Sequence, residues 1–561
     1  MQIGRRGLLG AAGLALAAGA ASAQGREAPV DTDVTDRRKH AEAMRRIADY
    51  AQRHVREYGL PGMTLAVVDS EGFTGFIRVG WADLDRRERV GPAHLFQIGS
   101  ISKSFVALTC NQLAQEGKLD LDAPVRRYVP EAPLPAKPVV TVRQLLNHVS
   151  GLPADAPAFP EHGKLWLGYE PGSRWSYSNT GYYLLGKVIE RVEGRPLGQV
   201  TQRRVLTPLG MTAAVPVITS ADRPRYATGY SPLYEDRPFP RAGRLVTADW
   251  INSDDAAGCI SATAADMARY VRYLIDLSRG QGAPLLSDAR ARTYLDQASE
   301  APGWAAKARY GNGLAIIDAE GRKLLQHTGG MVAFSSSMTI DPEAGVGIFA
   351  SSNIGLTGYR PREVTIWGCR LLAAEMAGGA LPEPPETRQK VEKPGDYARV
   401  FTSRRGERVE VRAGADSLAL VLPEGEARLI PYAKDSFVAD HARWSRHGFT
   451  YARQAERVAR VWWGSEEFLP SGSTGFTPAS PRLKALEGLY ENDSPWNGST
   501  VFYARGSELW AGSERLTPLP DGVWRFGEDD WSPERVSFSA MINGQAHRAT
   551  FSGTDFWRRN L

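Results

Sequence analysis

Two β-type runs early in this chain, Met63 to Val68 and Phe73 to Val79 around the turn Ser70-Glu71-Gly72, are followed by a long helical and loop stretch with no strand to pair them. The next such runs are Leu314 to Ile317, Leu324 to Gln326, Ser336 to Ile340 and Val346 to Ser351. A lone two-stranded hairpin is marginal in water, so the early pair must join the late group. This order predicts an α+β unit built on an antiparallel sheet closed by strands distant in sequence, with helices inserted between them.

The helices follow from periodicity. Residues 36–57 put Ala41, Met44, Ile47, Ala48, Ala51 and Val55 on one face, and Leu60-Pro61-Gly62 ends that run. The chain reads as helical from Ser100 to Tyr128, with an end at Glu116-Gly117-Lys118. Further helices are expected at Thr141 to His148, capped by Thr141, at 181–193, and at Arg362 to Met376, the last of this unit. The polar residues up to about Val34 are expected to be mobile. Residues 377–394, rich in Gly, Pro, Glu and Lys, read as a linker. Beyond them a pattern occurs twice: Asp416-Ser-Leu418, Arg428-Leu-Ile-Pro431 and Asp435-Ser-Phe437 are echoed by Ser507-Glu-Leu509, Arg515-Leu-Thr-Pro518 and Asp521-Gly-Val523. Two small β-barrel-like domains are expected, over 395–470 and 482–561.

A chain of 561 residues with 42% hydrophobic and 23% charged content is an ordinary globular protein, long enough for roughly three or four domains. Its 68 basic and 63 acidic residues leave a net charge of +5 with no concentrated basic block, so nucleic acid finds no support as a partner. Residues 1–23 combine Arg5-Arg6, an Ala/Leu run and the small-residue site Ala21-Ser22-Ala23, which reads as a cleavable export signal. The Arg pair resembles a twin-arginine signal but lacks the usual flanking residues, and ordinary Sec export is the alternative. A periplasmic address without a stable membrane anchor is expected. Cys110, Cys259 and Cys369, the three cysteines, are expected to be buried thiols. No residues have metal-ligand spacing, and neither metal nor cofactor is called for.

The chemistry-bearing residues fall into three groups. Ser100 and Lys103 stand three apart where a helix begins, so the amine can reach the hydroxyl and act as its base. Tyr177-Ser178-Asn179 lies on a loop before the 181–193 helix; a tyrosine beside a cationic Lys103 would have a lowered pKa and could shuttle a proton, and Asn179 could bind a substrate amide. His327-Thr328-Gly329-Gly330 ends a strand, and Gly330 N–H with Ser100 N–H would form an oxyanion hole.

In these residues, their order and their spacing the chain resembles the penicillin-recognising serine hydrolases: class C β-lactamases, serine D-peptidases, D-aminopeptidases and related esterases. The likeness covers 36–376 and extends to Leu145-Leu-Asn-His148, Ser150-Gly-Leu152, Pro171-Gly172, Pro208-Leu-Gly-Met211 and Gly258 to Thr263 before Asp266. It implies a β-lactamase/transpeptidase-like domain over 24–376, with helices on both sides of the sheet and a helical subdomain. It implies Ser100 as nucleophile, Lys103 and Tyr177 as the general base pair, and Asn179, His327, Thr328, Gly329 and Gly330 as substrate-binding residues. The expected activity is hydrolysis of an amide, peptide or ester through an acyl-enzyme, with D-residue substrates as candidates; a β-lactamase and a non-catalytic penicillin-binding scaffold are the alternatives. His327 stands where β-lactamases of this family carry lysine, so a charge that changes near pH 6.5 is expected there.

Overall fold

The computed structural model describes residues 28–559 apart from 162, 235, 239–242, 356, 357, 456 and 528, so the expected export signal lies outside the described residues. The early strands Gly62–Asp69 and Thr74–Asp83 join the late ones directly: Val67 pairs with Ile348, and Ala66 with Phe349, on strand Val346–Ser352. From there the antiparallel order runs through Phe334–Asp341, Arg322–Met331, Leu314–Ala319, Arg309–Gly311 and Ser299–Glu300. The central strands are buried along their whole length, as a sheet covered on both faces requires.

Because side chains alternate along a strand, one sequence stretch feeds two cores. Leu65 and Val67 pack with Ile47, Tyr50, Trp367 and Leu371 of helices Ala41–Tyr58 and Arg362–Met376. Ala66 and Val68 face the other way, toward helices Ser102–Gln115 and Ala264–Ser278. The apolar face expected on the first helix is buried at five of its six positions; Ala41, at the first turn, is exposed. Helix Ala264–Ser278 was not read from periodicity; its local signal is the capping box between Thr263 and Asp266.

Two expectations need correction. Val30–Val34 is not loose but an edge strand, with Thr32 opposite Ile77 and Arg78 Nη1 donating to Asp31 Oδ2 at 2.8 Å. Pairing with an exposed edge orders a segment whose own side chains bury little. The helix that begins near Ser100 spans Ser102–Gln115 and stops where Gly117 takes φ +72°, and only a short 3-10 turn, Val125–Arg127, follows in the region expected to be helical to Tyr128.

Two closed eight-stranded antiparallel barrels follow, Val400–Pro470 and Gly488–Arg558. The repeated pattern in the sequence falls on or just before the third, fourth and fifth strands of each. Closure leaves no sheet edge to template another chain. His447 Nδ1 and Tyr503 Oη, 2.9 Å apart, link the barrels, as does Arg505 Nε, which donates to Gly464 O at 2.9 Å. The segment after Met376 is strapped to the first unit: Trp367 Nε1 donates to Pro382 O and Tyr58 Oη to Thr387 O. The three cysteines are buried and free.

Trp367 is 1% exposed and stands edge-on to Tyr50 at 4.9 Å between ring centres. Trp367→Ala is expected to cost about 3–5 kcal/mol, because it leaves a cavity between the two helices that back the sheet. Urea unfolding of the variant should show a lower midpoint with an unchanged slope.

Candidate active site

Ser100 lies in the 3-10 turn Gly99–Ile101 at the head of helix Ser102–Gln115, against strand Arg322–Met331. Gly99 has φ +54°, and a Cβ there would stand 2.7 Å from the Gly330 nitrogen. A Cβ on Gly329 would collide with the Ile98 carbonyl, and one on Gly330 with the Arg360 guanidinium. Glycine at these places lets two stretches of backbone touch, which is how the serine turn comes to lie beside the strand.

Lys103 is fully buried, and its Nζ donates to Ser100 Oγ at 3.0 Å, to Asn179 Oδ1 at 2.7 Å and to Ala257 O at 2.7 Å. Carbonyl oxygens can only accept, so two N–H bonds are committed to Asn179 and Ala257. In the neutral amine the remaining position is a lone pair aimed at the serine hydroxyl. Burial pushes the amine down from 10.5 to about 7, against the pull of the Asp255 and Asp155 carboxylates. Asp255 also shapes the turn that presents the Ala257 carbonyl, since its Oδ1 accepts from Ala257 N at 2.8 Å. Asn179 is held the right way round because its Nδ2 donates to Asp155 Oδ1 at 2.7 Å.

Tyr177 lies beside Ser100 and Lys103, whose Nζ is 4.9 Å from its ring centre. Burial raises its pKa despite the nearby Ser100 hydroxyl, which acts to lower it, so the expectation that a cationic lysine would lower it is corrected. Tyr177 stays a phenol. His148 fixes the loop it sits on: Nδ1 accepts from Ser178 N at 3.0 Å, and its ring centre is 4.3 Å from that of Tyr177. The Ser178 hydroxyl then caps helix Asn179–Glu193 through Gly181 N, which makes Asn179 the first helical residue rather than a loop residue.

His327 is fully buried behind this group. Nε2 is 2.8 Å from Tyr310 Oη and Nδ1 is 2.6 Å from Thr328 O. A carbonyl accepts only, so the proton sits on Nδ1 and Nε2 accepts from the tyrosine. Burial, with Lys103 close by, pushes its pKa down to about 3. The expected change of charge near pH 6.5 is therefore corrected: the imidazole is neutral throughout the physiological range, because it is sealed from water. The cation that does lie against the strand is Arg360, packed on Gly330, with Nη1 donating to Tyr359 O at 2.6 Å.

Ser100, Lys103 and Asn179 thus form one hydrogen-bonded cluster with the Tyr177 ring against it, with Gly329 and Gly330 beside it and His327 and Thr328 supporting the strand. Sequence reasoning left out His148, Asp155, Asp255, Ala257, Tyr310 and Arg360. Of these only His148 and Ala257 carried a signal, lying beside or within runs that marked the resemblance; the others are brought in by loops whose course no local pattern reveals.

Comparison with known proteins agrees with this arrangement. The β-lactamase family profile matches residues 47–364. Penicillin-binding protein 4 of Amycolatopsis lactamdurans is 27% identical over 345 residues, covering 58% of this chain and 88% of that protein. Protein Rv1367c of Mycobacterium tuberculosis is 28% identical over 279 residues, 43% of this chain and 69% of that protein, and a β-lactamase of Escherichia coli K12 is 26% identical over 227 residues, 39% and 57%. The chain spans little more than half the length of the last of these. The octameric penicillin-binding protein homologue from Pyrococcus abyssi matches in structure with a TM-score of 0.52 at 24% identity, over 75% of this chain and 99% of that one, a likeness of fold. With the profile spanning the sheet, the serine turn and the glycine strand, the chain belongs to the β-lactamase family, with two β-barrels following the matched unit.

Proposed function

We propose that Ser100 is the nucleophile of a hydrolase that forms and discharges an acyl-enzyme on an amide, peptide or ester. The observation that carries this reading is the three-way coordination of Lys103, which leaves the lone pair of the neutral amine directed at Ser100 Oγ at 3.0 Å. As Oγ attacks the substrate carbonyl, its proton passes to Lys103, and a new C–O bond forms while the carbonyl oxygen becomes an oxyanion. The Ser100 and Gly330 N–H groups receive that charge, at about 10²–10³ in rate per donor. Tyr177, a neutral phenol beside Ser100, relays a proton to the departing amine or alkoxide. Water enters by the same route in reverse, giving up a proton to Lys103 and releasing the acid. The unit that does this ends near Met376, and after cleavage before Gln24 the enzyme works outside the cytoplasm; the N-terminal sequence of protein recovered from the periplasm checks the latter.

A second reading, β-lactam hydrolysis, draws on the names of two relatives and on Arg360, a fixed cation against Gly330 that suits a substrate carboxylate. Intact mass after incubation with a fluorophosphonate, a penicillin, D-alanine amide and an aryl ester separates the two. Ser100 is expected to carry each adduct; the fluorophosphonate adduct is permanent, and of the three acyl adducts the penicillin one outlives the other two if the first reading holds. In Ser100→Ala all adducts and turnover should vanish while the far-UV circular dichroism is unchanged. An adduct that persists in this variant removes Ser100 from the mechanism.

The pH dependence follows from Lys103. Its amine must be neutral to accept a proton and is charged below about 7, so kcat/KM for a neutral ester should climb through about pH 7 and fall about tenfold per unit below it. His327→Gln should leave that limb where it is, since the imidazole is already neutral down to about pH 3. A limb that moves or disappears in His327→Gln would give the titration to histidine instead.

A further inference from the structure

The second barrel touches the catalytic unit at the peptide that supports Asn179. We propose that Glu534 is a positioning residue for catalysis, holding the Pro153–Asp155 peptide from the barrel side so that Asp155 and Asn179 keep Lys103 aligned on Ser100.

Glu534 stands just before strand Arg535–Ile542, with its two carboxylate oxygens divided between the two units. Oε1 accepts from Ala154 N at 2.7 Å, across to the catalytic unit, and Oε2 accepts from Ser552 Oγ at 2.6 Å within the barrel. The same short peptide is held from its other side by the residues that open helix Asn179–Glu193. Ala154 O accepts from Asn179 N at 2.7 Å and from Thr180 N at 3.2 Å, and Pro153 O accepts from Ser178 Oγ at 2.7 Å. Asp155 Oδ1 takes the Asn179 side-chain amide, whose oxygen receives the Lys103 amine. Four links therefore join the barrel to the nucleophile: Glu534 to Ala154, Asp155 to Asn179, Asn179 to Lys103, Lys103 to Ser100.

The contact has little slack. Trp166 Nε1 donates to Pro533 O at 2.7 Å, and Tyr169 meets Trp531 edge-on at 5.6 Å. Gly168 lies so close that a Cβ there would stand 2.7 Å from Pro533 N. Burial raises the Glu534 carboxyl and the Asp155 charge adds to this, while the bonds from Ser552 and Ala154 lower it. A half-buried carboxyl that spends one oxygen on a neighbouring domain's backbone is costly for the barrel alone. It is satisfied only when the active-site loop is in place.

The proposal rests on Ser100 as nucleophile, and the experiment keeps the two apart. Labelling rates with a fluorophosphonate, read by intact mass from pH 5 to 9, are compared for the full chain and for Glu534→Ala, Glu534→Gln and Glu534→Asp, alongside kcat and KM for p-nitrophenyl acetate. Gln keeps an acceptor for Ala154 N, whereas Ala removes it and Asp withdraws it by one methylene. Labelling and kcat are expected to fall by about 10²-fold in Glu534→Ala, the scale of a small misplacement, with KM little changed, and to stay within about threefold of wild type in Glu534→Gln. The acid limb should move below about pH 7 in Glu534→Ala, because an Asp155 carboxylate that drifts away no longer supports the ammonium of Lys103. Wild-type rates and limb in a folded Glu534→Ala would overturn the proposal. So would losses that only track the folded fraction, or unfolding of both Ala and Asp variants, which would make Glu534 a folding residue. Absence of any Ser100 adduct in the wild-type chain would instead overturn the nucleophile.

Discussion

The site depends on taking the Lys103 amine out of water. In solvent that amine would be protonated and useless as a base; inside, desolvation outweighs the two nearby carboxylates and brings its pKa to about 7. Burial alone would leave a neutral amine pointing anywhere. The Asn179 and Ala257 oxygens remove that freedom by accepting two of its N–H bonds, and the lone pair faces the serine. The carboxylates of Asp155 and Asp255 keep the protonated state within reach, so the amine can both take a proton and return it.

Such a group must lie inside the protein and yet border the substrate. The fold meets this by placing the serine turn between a helix buried on most sides and a strand of consecutive glycines. Gly99 against Gly330, and Gly329 against Ile98, bring backbones into contact without side chains between them. The aromatic and imidazole rings of Tyr177, His148, Tyr310 and His327 fill the space behind and exclude water from the lysine. Their polar atoms largely bond one another or the backbone, which is why His327 contributes shape and tautomer rather than charge.

Of the two barrels, the second enters this arrangement through polar contacts made with backbone and through Trp531 against Tyr169. Their apolar interiors are closed and self-sufficient, so docking takes nothing from their cores. What the second barrel supplies is an acceptor for one backbone N–H on the loop that carries Asp155. A loop of this kind has few apolar side chains to anchor it, and its position at the active site depends on such bonds.

The chain's local patterns determined the elements that period and capping specify: helices Ala41–Tyr58, Asn179–Glu193 and Arg362–Met376, the central strands, and two barrels marked by a repeat that falls on equivalent strands. Ser100 with Lys103 was legible because three residues on a helix is a local spacing, and Tyr177 with His327 because their motifs fell in a familiar order. Only tertiary structure decided the rest. The protonation of Lys103, Tyr177 and His327 follows from how deeply each is buried, a property of the assembled cores rather than of any residue's neighbours in sequence. Asp155, Asp255, Arg360 and Glu534 reach the site on loops without periodicity, and Val30–Val34 is a strand only because another strand offers it an edge. Contacts across hundreds of residues leave no trace in a local pattern, since one partner is often a backbone atom that every residue carries, as Ala154 N is to Glu534.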